Sequence, residues 1–270
     1  MKKNLLTGFL AVIVAASLAG CGGSPASTTN TGGNDAAANS DTPQTVPQDQ
    51  STDDEDDIAD GQSTVHSSVD SLDELKAEVE GYVESQLTDI RSTYDTLVAS
   101  IGSYDAYVQN IDSVEAFYDG VITNTSSICV QLRQYSIDYA NLIVSTDEKY
   151  SDQYDDLEEI YDVVYDDAGE QIYDEIYDGV LSDAYDDFYD GVVADGYDTV
   201  PYDDWSDVHS QEYDLWSDTR SDVYDLWSDC RSDIYDFWSD VRSDVYSEDD
   251  EDTQNDIADF QEDVNDLMTE

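Results

Sequence analysis

YDDWSDVHSQE, YDLWSDTRSDV, YDLWSDCRSDI and YDFWSDVRSDV, residues 202–245, are one eleven-residue unit written four times, and Tyr246 begins a fifth that decays. All four tryptophans of the chain, Trp205, Trp216, Trp227 and Trp238, fall at one position of the unit. Eleven residues complete three helical turns at about 3.67 residues per turn, so each residue advances about 98°. On that wheel the apolar positions adjoin: Leu or Phe at the third place, then Val208, Thr219, Cys230 and Val241, then Val223, Ile234 and Val245, then Trp. The basic position (His209, Arg220, Arg231, Arg242) follows, then Tyr202, Tyr213, Tyr224 and Tyr235, while Ser and Asp fill the remaining arc. A strand would scatter these positions over both faces, because eleven is odd and strand side chains alternate. The stretch reads as a repeated amphipathic helix.

Two expectations follow from the wheel. Arg220, Arg231 and Arg242 each lie four residues after a Trp and four before a Tyr, so a guanidinium can cover an aromatic face, worth ~0.5–1 kcal/mol when exposed. The opposite face is a column of like charge that includes Asp214, Asp218 and Asp222, and such neighbours repel. The apolar stripe must therefore be buried against something, or cations must screen the acids. Asp214, Asp218 and Asp222 are the weak candidates for loosely bound calcium, although no EF-hand loop occurs and no other cofactor is expected.

Composition narrows the function classes. The chain has 270 residues, 66 acidic against 9 basic, for a formal charge of −57. A field of that sign repels nucleic acid and anionic membrane surfaces, so no nucleic-acid role is expected. The 21 tyrosines and 4 tryptophans are too many for an ordinary disordered acidic tail. Elongated helices with one aromatic-rich seam reconcile the two features; adaptation to a salty habitat is a competing source of the acidity.

The first twenty residues read as a secretory leader: Lys2 and Lys3, an apolar run from Leu5 to Leu18, then small residues. Leu18-Ala19-Gly20-Cys21 resembles the lipobox of bacterial lipoproteins. That resemblance covers only the first two dozen residues. It implies cleavage before Cys21, a diacylglycerol on its thiol and often an acyl chain such as palmitate on its amino group, hence a lipid anchor on the extracytoplasmic face of the cell membrane. Two or three acyl chains hold stably where one is marginal. Residues 21–66 then form a disordered acidic tether of Ser, Thr, Asn, Gly, Ala, Pro and Asp, spanning roughly 35–40 Å as a coil.

The body divides by pattern into a helical region over 67–147, a Tyr-Asp-rich region over 148–200, the eleven-residue repeats over 201–246 and an acidic segment with a short helix over 247–270. Ser71-Leu72-Asp73-Glu74 has the form of a capping box, and apolar spacing of three and four carries a helix to about Gly102. A second helix is expected to break at Thr123–Ser127, and a third to follow from Ile128. In the Tyr-Asp region a twelve-residue unit appears, IYDEIYDGVLSD (172–183) and AYDDFYDGVVAD (184–195), with apolar pairs every four residues. A period of four overshoots 3.6, so the stripe should drift round the helix or the helix should wrap a partner. Short strands joined by Asp-Gly turns are the rival reading.

No catalytic constellation emerges. The two histidines, His66 and His209, read as a tether residue and a repeat variant, and no nucleophile elbow, P-loop or dinucleotide fingerprint occurs. Cys129 and Cys230 lie on apolar stripes, and their spacing does not decide whether they pair. The chain is thus expected to be an all-α, elongated bundle or coiled coil, not an enzyme. Its expected role is structural or interactive, as a scaffold or adaptor acting through the aromatic seam on itself or on an envelope protein. An acidic calcium- or cation-binding module and a cell-wall glycan binder are the alternatives.

Overall fold

The structure is a computed structural model that describes residues 66–269; the leader, Cys21 and the tether through residue 65 lie outside the described residues. The described residues form a helical bundle and contain no strand, which excludes Asp-Gly hairpins over 172–195. We label the helices α1 (Leu72–Ser100), α2 (Tyr104–Gln109), α3 (Ile111–Val144), α4 (Tyr150–Asp156), α5 (160–198), α6 (Tyr202–Ser247) and α7 (Asp250–Leu267).

Helix α1 starts on the capping box: the Glu74 amide donates to Ser71 Oγ at 3.3 Å, and Ser71 Oγ donates to the Glu74 carboxylate at 3.1 Å. Helix α3 runs straight through Thr123–Ser127, where a break was expected. Thr123, Thr125 and Ser127 each donate a hydroxyl to the carbonyl four residues back, so their competing hydrogen bonds are made within the helix. The acidic stretch after Tyr246 is only a corner. Glu248 turns the chain at φ 57°, Asp249 caps the Asp252 amide at 3.2 Å, and α7 is already helical from Asp250.

Helix α3 is the axis of the core. It packs against α1, α6, α7 and the first part of α5, and every residue from Ile128 to Ile137 is buried. Helix α1 contributes Leu75, Val79, Val83, Ile90 and Tyr94, and α7 contributes Ile257, Phe260 and Val264. Phe237 of α6 stacks on Phe260 at 4.4 Å, which joins the last unit of the repeat to α7. Helix α6 itself is 46 residues of unbroken α-helix, about 69 Å long.

Helix α5 is built differently. Its buried line is Ile160, Val164, Ala168, Ile172, Ile176, Val180, Ala184 and Phe188, every fourth residue. In an α-helix each such step overshoots a turn by about 40°, so the line would leave the core within a few turns. The backbone widens instead. Ile160–Ala168, Tyr173–Val180 and Tyr185–Val193 are π-helical, separated by the α turns Gly169–Ile172 and Leu181–Ala184 and closed by a 3-10 turn at Ala194–Asp198. The stripe does not drift, because π turns take up the excess. A Cβ at Gly179 or Gly191 would stand 3.0 Å from the carbonyl oxygen five residues back, so these glycines let the wide turns close.

Candidate functional site

Helices α5 and α6 run antiparallel, and their repeats mesh. Trp205, Trp216 and Trp227 donate their indole N–H groups to the backbone carbonyls of Val193, Leu181 and Gly169, each at 2.8 Å. The donors are eleven residues apart and the acceptors twelve. Three turns of α6, about 16.5 Å, therefore match a twelve-residue unit of α5 turn for turn. The different repeat lengths are two halves of one register.

The acceptors lie on a second every-fourth line of α5: Tyr161, Tyr165, Gly169, Tyr173, Tyr177, Leu181, Tyr185, Tyr189, Val193. Each of these three indoles reaches the one position in three that is not tyrosine. Rings flank it: Tyr185 lies 4.6 Å from Trp216, Tyr173 4.8 Å from Trp227, and Tyr161 5.0 Å from Trp238. The paired tyrosines of α5 are 4.8 Å apart in all three units.

The basic position completes each rung. Arg220 lies 4.1 Å over Tyr177 and 5.4 Å over Trp216, and Arg231 lies 4.1 Å over Tyr165 and 5.3 Å over Trp227. Arg242 covers Tyr154 at 3.9 Å and Trp238 at 5.1 Å. The expected Trp partner is present, but the second ring comes from α5 for Arg220 and Arg231 and from α4 for Arg242, and not from the next tyrosine of α6. A one-helix wheel could not show a neighbour. The same arginines reach acids across the seam, Asp178 and Asp166 at 3.6 Å and Glu158 at 2.8 Å.

The ladder has two irregular ends. The Trp238 indole nitrogen is buried without a hydrogen-bond partner among the described residues. At the other end His209 replaces arginine, its ring 4.1 Å from Tyr189 and 4.5 Å from Trp205. Along the outer edge Tyr202, Tyr213, Tyr224 and Tyr235 remain 61%, 44%, 44% and 43% exposed. The seam is thus half internal joint and half open aromatic row.

One buried group escaped the reading of the sequence. Glu212 sits where the other units carry Val223, Ile234 and Val245, and it is fully buried. Tyr107 of α2 donates to one carboxylate oxygen, and Tyr118 of α3 donates to the other at 2.7 Å. Burial pushes its carboxyl up to about 7 from an ordinary 4.5, and the two tyrosine hydrogen bonds oppose that rise. Alignment of the four units gives the signal, a lone charge in an apolar column. His66 also departs from expectation: its Nδ1 lies 3.3 Å from Asp138 and 3.0 Å from Gln134, so it is seated on α3.

The weak metal candidates are not brought together. Asp214, Asp218 and Asp222 are exposed on one helix, and among the described residues no group of three or more His, Cys, Asp or Glu side chains could hold a metal ion. An open groove of about 790 Å³ runs between α1 and α5, lined in part by Glu84, Arg91, Asp95 and Glu175. Among the described residues no helix is long and apolar enough to cross a membrane. No protein family matches the chain, and no curated protein or solved structure is significantly similar to it.

Proposed function

We propose that this chain is a cell-envelope lipoprotein, held to the extracytoplasmic face of the membrane by acyl chains on Cys21, whose helical body serves as a scaffold. The observation that carries the scaffold reading is the divided use of the aromatic seam. Three of the indoles donate inward to α5, whereas the tyrosines of the repeat stand 43–61% exposed along one edge at eleven-residue spacing. Aromatic side chains on a rigid helix give contact area at low entropic cost, which suits a docking edge for an envelope protein. The leader and its Leu18-Ala19-Gly20-Cys21 box support the anchor.

The test uses the full chain in cells fed labelled palmitate, with a photo-crosslinking residue at Tyr213, Tyr224 or Tyr235. Label and membrane retention are expected in the unsubstituted chain and lost together in Cys21→Ser. Crosslinks to one envelope component are expected from the tyrosine row and not from Asp218 or Asp229, which face away from the seam. Palmitate retained in Cys21→Ser would refute the anchor. Equal yields from both faces would refute the docking edge.

A further inference from the structure

Cys230 is the one cysteine in the repeat, standing where the other units have Val208, Thr219 and Val241. It points at the most buried stretch of α3, where Cys129 lies, and both thiols are free and buried. Cys230 Sγ donates to the carbonyl of Cys129 itself at 3.5 Å, and Cys129 Sγ donates to the carbonyl of Leu226, one turn before Cys230, at 3.6 Å. Each thiol is thus seated on the backbone turn that carries the other. Arg133, one turn past Cys129, donates to Asp233 at 3.0 and 2.7 Å and clamps the two helices in that register.

From this geometry we propose that Cys129 and Cys230 are a disulfide-forming pair that staples α3 to the repeat helix when a thiol oxidant is present. The oxidant is a small or protein disulfide. One cysteine thiolate attacks it, releasing a thiol and leaving a mixed disulfide; the second thiolate then attacks that protein sulfur and expels the other half of the oxidant. Two protons and two electrons leave the protein, and one disulfide of the oxidant becomes two thiols. Burial disfavours the thiolate at both sulfurs, and the Arg133 guanidinium opposes that at each of them. Because both are buried, the reaction proceeds during folding or in a locally opened state, and the closed native state protects whichever form it has. The staple closes a loop of about a hundred residues, the regime in which a cross-link constrains the unfolded chain most.

The full chain carrying Cys21→Ser has these two as its only thiols, so it isolates the reaction. Reduced protein is unfolded in urea and refolded with a mixture of reduced and oxidised glutathione. Expected are the loss of both thiols in a denaturing thiol titration, a mass lower than the reduced chain by two hydrogens, and a digest fragment joining the two cysteine peptides. The oxidised chain is expected to melt several degrees higher than the reduced one. Two titratable thiols per chain after this treatment, or disulfide-linked dimers in place of the intramolecular fragment, would overturn the proposal. The peptide map needs no cysteine variant to fold.

Discussion

Helices α5 and α6 line the two sides of one seam and solve the same problem by opposite means. Helix α6 keeps ideal α geometry and lets its sequence repeat every eleven residues, close to a whole number of turns. Helix α5 keeps its apolar residues strictly every fourth and deforms its backbone into π turns to hold them on the core. The two agree in turns and not in residues, as the three indole–carbonyl hydrogen bonds of 2.8 Å show. A repeat length is therefore a property of the pair, and the helix with the irregular backbone has the more regular spacing.

Breaking one rung should have the largest effect. Trp227→Ala removes a half-buried indole and its hydrogen bond to the Gly169 carbonyl, and is expected to cost about 4 kcal/mol in urea unfolding. A loss below about 1 kcal/mol would mean that the seam is decoration on a bundle held by α3. Next comes the unit of α6 that differs from its siblings. Ionising Glu212 costs the folded chain more than the unfolded one, so its contribution is present below about pH 4.5 and lost as pH rises through about 7. Glu212→Gln removes that charge: its carbonyl oxygen accepts from one tyrosine, and its amide donates to the oxygen of the other. Its stability relative to the unsubstituted chain should improve by about 3 kcal/mol between pH 4.5 and 8, measured by urea unfolding at each pH. A pH-independent difference would exclude a buried, titrating carboxyl.

Much of this was legible beforehand, and the limits have physical causes. The eleven-residue period identified α6, the capping box placed the start of α1, and the wheel put Arg beside Trp but gave it the wrong tyrosine. The four-residue period of α5 was visible too, yet a fixed α geometry left only drift or wrapping as outcomes, because a backbone that widens is rare. The rungs could not be foreseen: Trp205 and Val193 are close in sequence, but Trp227 and Gly169 are fifty-eight residues apart, and only the antiparallel packing joins them. Glu212 was missed although its column was apolar in every other unit, since its tyrosines come from two other helices.

Smaller effects sharpen the contrast. Trp216→Phe and Trp238→Phe remove the same pyrrole edge, but only Trp216 donates its N–H to a carbonyl. The first is expected to cost about 1–2 kcal/mol more than the second, and equal costs would remove the hydrogen bond from the account. Glycine separates the two helix types further. Gly81 of α1 and Gly120 of α3 have nothing within 4 Å of a built Cβ, so alanine there should stabilise by up to about 1 kcal/mol. At Gly179 the same substitution meets the Asp174 carbonyl at 3.0 Å and is expected to destabilise by about 1 kcal/mol; thermal melts give the sign.

The matched register itself is tested most directly by deleting one residue from each helix. Removing Gly179 from α5 lets a π turn close into an α turn, so eleven residues fill the same three turns and every rung stays in place. Removing Ser228 from α6 swings all that follows by about 100° and takes Cys230, Phe237 and Trp238 off their partners. The account predicts a cooperative melt and near-native circular dichroism for the Gly179 deletion, and loss of cooperative melting for the Ser228 deletion. Equal damage from the two, or a milder effect at Ser228, would contradict it.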